Sequence, residues 1–246
     1  MKISSKVKEQ TRLRLLESAV DVITEKGFEK ATMREIAKRA DVADATIYNY
    51  FSTKEKLLYG YCEHVQQLVM LELKSIENFH EFSLQEQLHQ LVESELKHWL
   101  PAREFLQQVF AQTYAAPTVG HELLSDTKAL FQSMFVELID ASIEAGEIPQ
   151  QPYQDILPTL FWDYQSAILA YWLKDTSDNF SNTTRLVDQS TEIIAQLLIG
   201  GVIGKTIDMF SFLFRTHVLQ HMSSLGSLIN SPELASAKRR FMDGEP

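Results

Sequence analysis

The sequence predicts an all-α protein. Apolar residues recur at i, i+3, i+4 and i+7 through most of the 246 residues. Proline, glycine and capping residues punctuate that pattern at helix-length intervals, and strict strand-type alternation is absent. The composition is globular, with 45% hydrophobic and 23% charged residues, and the chain is long enough for a sizeable core.

The first helix is predicted over residues 6–26, with Leu16, Ala19, Val20 and Ile23 on one stripe. Gly27 ends it as a C-cap and lets Phe28 fold back onto the core. Lys2, Lys6, Lys8, Arg12 and Arg14 make its leading end basic, suited either to phosphates or to solvent. Thr32 and Glu35 have capping-box spacing and open a short helix over 32–40 that buries Met33, Ile36, Ala37 and Ala40. Asp41-Val42-Ala43 is a turn, and Asp tolerates the left-handed conformation such a turn often needs. A second short helix over 44–50 buries Ile47 and Phe51. Two short helices joined by such a turn form a helix-turn-helix, whose second helix fits the DNA major groove.

Ser52 and Glu55 repeat the capping-box spacing and open a long helix to about residue 76. Ser83 with Glu86 caps a helix over 83–100, Pro101 starts another to residue 115, and Pro117 breaks it. One long amphipathic helix is then expected to reach residue 145, stopped by Gly146 and Pro149. Helices over 153–174, 183–199 and 206–228 complete the pattern, followed by a frayed tail. The stretch 153–174 is apolar nearly all round, so it needs covering on every face.

Charge divides along the chain. The net charge is −10, yet residues 1–60 hold twelve Lys and Arg against nine Asp and Glu. A basic leading module on an acidic body supports nucleic-acid binding by the first part. The single Cys62 excludes a disulfide framework within the chain and suits a reducing compartment. No apolar leader stands at the N-terminus, so a cytoplasmic protein is expected. The apolar run 193–214 is interrupted by Gln196, Lys205, Asp208 and three glycines, which argues against a membrane span.

The head carries a more specific pattern. Thr11-Arg12-x-x-Leu15, Ala19, Gly27-Phe28, Thr32, Ile36-Ala37, Ala40, Val42 and Tyr48-x-Tyr50-Phe51-x-x-Lys54-Glu55-x-Leu57 resemble the N-terminal domain of TetR-family regulators over roughly residues 6–60. Three positions depart from that pattern: Asp41 replaces a usual Gly, Ala43 a capping Ser, and Asp44 a basic or polar residue. Loss of the cap costs ~1 kcal/mol, partly offset by Asp44 in the first turn of the next helix.

The resemblance implies a helix-turn-helix domain over 1–56, a ligand-binding and dimerisation domain over 57–230 and a tail over 231–246. It implies a repressor that binds a palindromic double-stranded DNA operator as a homodimer and is released by a small hydrophobic effector. No cofactor, metal, membrane contact or enzymatic activity is expected. Thr32, Arg34, Tyr50 and Lys54 are expected at phosphates. Ala45, Thr46, Tyr48 and Asn49 are expected in the groove, with Asp44 accepting from cytosine N4. Trp99, Arg103, Phe110, Tyr114, Phe131, Phe135 and Trp162 are candidates for the effector pocket, Arg103 for an anionic head group. Tyr164, Ile168, Tyr171, Ile194 and Leu198 are candidates for the dimer interface. The alternative is a ligand- or lipid-binding protein on the same scaffold whose DNA head is unused, a reading favoured by Asp41, Ala43 and Asp44.

Other motifs carry less. The Glu-x-x-His pairs Glu77/His80, Glu86/His89 and Glu95/His98 have the spacing of di-iron bundles, but two lie on one helix half a turn apart and read as solvated faces. His217 and His221 lack further ligands for zinc. Residues 200–206 mimic a phosphate-binding loop, one residue short and after a helix rather than a strand. No Gly-x-Ser-x-Gly elbow or HExxH is present.

Overall fold

A computed structural model describes residues 5–213. Among them the chain forms helices joined by turns, and the N-terminal three build the head. Helix α1 (Ser5–Lys26) buries Leu15, Leu16, Ala19 and Ile23. Gly27, at φ +79°, closes it by donating its backbone N–H to the Ile23 carbonyl, and Phe28 turns into the core as expected. Thr32 and Glu35 form the full capping box that opens α2 (Met33–Arg39). Asp41 adopts the left-handed conformation at φ 52°, and α3 (Asp44–Tyr48) packs through the fully buried Ile47.

Helix α4 (Lys54–Ser75) runs from the head into the body. Its cap is Thr53, which accepts from the Lys56 N–H, and not Ser52 as the spacing with Glu55 suggested. The body contains α5 (Leu84–Trp99), capped by Ser83 and Glu86, and α6 (Arg103–Ala115). The single helix expected after Pro117 is two: α7 (Pro117–Leu123) and α8 (Ser125–Glu144). The cause is close packing. A Cβ on Gly120 would lie 3.0 Å from Thr113 and from the Tyr59 hydroxyl, so α7 lies tight against α4 and α6, and the chain breaks at Leu124 before α8.

Helix α9 (Leu157–Trp172) starts later than its apolar pattern, because Tyr153 sits at φ 62° and Pro158 opens the first turn. Helices α10 (Ser181–Ile199) and α11 (Ile203–Leu213) follow. The α10 entry is held by Asp175. Its buried carboxylate accepts from the backbone and hydroxyl groups of Ser177 and Thr183, which hold its pKa well below the usual range. The predicted helix over 206–228 is described to residue 213; its remainder, the tail, His217 and His221 lie outside the described residues. No described helix is long and apolar enough to cross a membrane.

Candidate functional site

The reading surface grows from α3 and the turn before it. Ala45, Tyr48 and Asn49 are exposed, Tyr48 by 56%, while Ile47 on the opposite side is fixed in the core. Thr46 and Tyr50 are half-buried. A short helix whose inner residue is locked and whose outer residues are free is what base-edge contact requires. Ala43 supplies no side-chain cap, as the sequence suggested. The Arg34 Nε lies 3.2 Å from Asp44 Oδ2, and both side chains are exposed. The acidic entry to α3 is therefore charge-neutralised by the helix that precedes it.

Two expected phosphate contacts are committed elsewhere. The Thr32 hydroxyl accepts from the Glu35 N–H and donates to the Glu35 carboxylate, so its role is to fix α2. Lys54 donates to the carbonyls of Phe28 and Ala31 and sits 4.3 Å from the Phe28 ring centroid, which ties the α1–α2 loop to the start of α4. Arg12 is likewise paired with Glu63 and packed over Phe51, whereas Lys6, Lys8 and Arg14 are exposed.

A cavity of about 310 Å³ lies in the body, at the small end of the range for ligand sites. Trp99, Phe110, Tyr114 and Trp162 line it, as the aromatic spacing suggested. Phe131 and Phe135 do not belong to this wall. They are buried core rings stacked with Phe161, because α8 turns them against α9. Arg103 is also misplaced by the sequence reading. Its guanidinium donates to the carbonyls of Trp172, Leu173 and Asp175 and packs over the Trp172 and Phe180 rings, closing the C-terminus of α9.

The sequence reading missed the polar residues of the cavity. Gln66 on α4 and Gln165 on α9 both line it, at 3% and 2% exposure. Gln66 donates its amide to Glu95, leaving its own Oε1 unpaired; both polar atoms of Gln165 lack a partner. Each such buried orphan costs about 1–3 kcal/mol, so native proteins carry few of them. Glu95, read as part of a solvated face, is fully buried. Burial pushes its carboxyl up to about 7, against the hydrogen bond from Gln66. Its position was legible: Leu84, Leu88, Leu91 and Glu95 fall on one helical stripe, as do Phe161, Gln165 and Leu169. A polar residue on an apolar stripe was the signal.

Helices α4 and α6, which supply part of the cavity wall, also carry contacts toward the head. The Phe28 N–H donates to Gln108 of α6, at 3.3 Å. The Tyr59 hydroxyl of α4 lies 3.1 Å from the hydroxyl of Thr113, which itself lines the cavity. Helix α4 adds Cys62 and Gln66 to the wall and begins at the loop that Lys54 ties.

The proposed dimer face divides. Ile168 and Leu198 are covered within one chain, at 3% and 1% exposure, so the apolar helix needs less external cover than its composition implies. Tyr171 is exposed, Tyr164 and Ile194 are half-buried, and Leu160, Ile193 and Ile199 extend the outer apolar surface of α9 and α10. The Glu-x-x-His pairs do not converge. Glu86 is used in a cap and His98 contacts Glu72 at 2.6 Å; no group of metal-ligating residues is present among the described residues.

Comparison with known proteins agrees with this geometry. Residues 15–59 match the family described as bacterial regulatory proteins, tetR family, and residues 87–213 match the tetracyclin repressor-like C-terminal domain. The Probable HTH-type transcriptional regulator YttP of Bacillus subtilis (strain 168) is 31% identical over 173 residues, 68% of this chain and 80% of that protein. The Fatty acid metabolism regulator protein of the same organism is 43% identical over 53 residues, 22% of this chain and 27% of that protein. Among solved structures, Salmonella enterica GusR superposes with TM-score 0.62 at 18% identity, covering 81% of this chain and 100% of that one. The fatty acid degradation regulator FadR from Bacillus halodurans superposes at 0.54 with 21% identity, covering 81% and 97%. At these identities the structural matches establish the fold alone.

Proposed function

The chain belongs to the TetR family of bacterial transcriptional regulators, and on that premise we propose a homodimeric repressor whose head reads a palindromic operator and is released when a small, largely apolar effector fills the cavity. Its relatives are regulators, not enzymes. The observation that carries the proposal is the physical connection between cavity and head. Thr113 and Gln66 line the cavity, and Tyr59, Phe28 and α4 join those walls to the reading helix.

An effector that separates α6 from α4 disturbs the Thr113–Tyr59 contact and the Gln108–Phe28 bond together. The first contact holds α4 and the second holds the α1–α2 loop before α2, so occupancy changes head position relative to a partner's head. Operator release then requires a few kcal/mol of differential affinity for the two arrangements. The outer surface of α9 and α10, with Leu160, Tyr171 and Ile193, is the surface we assign to the partner copy. Two heads so joined meet half-sites a helical turn, or a multiple of it, apart.

In the head, Tyr48, Asn49 and Ala45 take the base edges, with Thr46 at the margin. Asp44 holds Arg34 through Oδ2 and keeps Oδ1 to accept from cytosine. Lys6, Lys8, Arg14 and Arg34 supply charge toward phosphates, and Thr32, Tyr50 and Lys54 hold the frame. Selection of bound duplexes from a randomised pool tests these roles. Asn49→Ala is expected to relax preference at one position in each half-site, by about 1–3 kcal/mol against the wrong base, with overall non-specific affinity retained. An unchanged selected sequence removes Asn49 from the reading surface.

A further inference from the structure

The cavity is apolar and aromatic around most of its wall, yet two of its most buried residues are primary amides without full hydrogen bonding. Gln165 offers an amide nitrogen with two N–H donors and a carbonyl acceptor, and Gln66 one further acceptor. Tyr114, by contrast, is 74% exposed, and the cationic candidates His121 and Lys128 are exposed and half-buried. Polarity is thus arranged in two zones, a neutral amide zone at depth and a basic zone toward solvent.

Resting on the effector-cavity reading above, we infer that the ligand is an amphiphile with a neutral head group bearing both a donor and an acceptor, such as a hydroxyl or a primary carboxamide, bound head inward on Gln165. A hydroxyl or carboxamide can accept from and donate to the Gln165 amide at once, and the second N–H of a carboxamide has Gln66 Oε1 on the same cavity. The apolar body then lies against Trp99, Phe110 and Trp162. A carboxylate head on the amides leaves the Gln66 acceptor facing another acceptor, and the two cationic lining residues, His121 and Lys128, are the exposed and half-buried ones. An ammonium head gains no counter-ion, because Glu95 stands behind Gln66 with one oxygen already used and does not line the cavity.

Calorimetric titration of the full-length protein with four probes of one chain length separates these cases: decanol, decanamide, decanoate and decyltrimethylammonium. The expected result is that decanol and decanamide bind at least about tenfold tighter than the two charged probes, the size of effect set by one unpaired buried polar group. Gln165→Leu, and the more nearly isosteric Gln165→Met, are expected to reduce that preference to about twofold and to raise the melting temperature of the unliganded protein. A Gln165 that is merely structural leaves the preference unchanged in both variants, which overturns the inference. Tighter binding of decanoate or decyltrimethylammonium also overturns it while leaving the effector cavity standing. Binding by none of the four removes the cavity reading and this inference with it.

Discussion

Glu95→Gln is expected to make the protein markedly more stable than the parent at pH 8 and to narrow that advantage steadily as pH falls toward 4.5. Glu95 is fully buried, and its carboxyl titrates near 7 when folded against an ordinary value of 4.5. Between those values the folded state retains a proton that the unfolded state has released. Stability contributed by this group is therefore complete below about pH 4.5 and is lost as pH rises through 7. The span corresponds to about 3 kcal/mol, or roughly 8 °C in melting temperature for a chain of this length. Glutamine keeps an acceptor for the Gln66 amide and does not ionise, so it escapes the loss. Melting curves of both proteins across that range check the prediction, and parallel pH profiles contradict it.

Arg103→Met is the second large effect. The guanidinium closes the C-terminus of α9 through three carbonyls and packs 5.3 Å over Trp172 and 5.1 Å over Phe180. Methionine retains much of the packing but leaves those carbonyls unpaired next to the α9–α10 junction. A cost of about 3 kcal/mol follows from hydrogen bonds made by a charged donor at a helix terminus. Cavity affinity for decanol is expected to stay within about twofold, because Arg103 does not line that wall. A variant with unchanged melting temperature and weakened binding returns Arg103 to the head-group role first expected of it.

These residues show what was legible in the chain and what was not. Helix existence followed from apolar period, and caps at Thr32 and Ser83 were readable because a capping box is a local device with both partners three residues apart. The left-handed Asp41 and the uncapped Ala43 were local for the same reason. Long-range partners were not readable. Nothing near Arg103 in sequence indicates that its acceptors lie some seventy residues on. Lys54 spends its charge on the α1–α2 loop for an equally non-local reason. Phe131 and Phe135 differ from Phe110 and Trp162 only in which neighbour each faces once α8 meets α9, and helical spacing cannot distinguish a core ring from a cavity ring. Glu95, Gln66 and Gln165 were within reach, since each interrupts an otherwise apolar stripe.

The coupling of cavity to head is tested most directly by fluorescence anisotropy of a labelled duplex taken from the DNA flanking the gene, titrated with full-length protein at low salt and then with decanol. The expected result is a complex of two chains per duplex whose affinity falls steeply with added salt and weakens at least about tenfold as decanol saturates the protein. No complex at low salt, where electrostatic attraction is strongest, while calorimetry still detects decanol binding, contradicts the account and leaves a ligand-binding protein with an unused head.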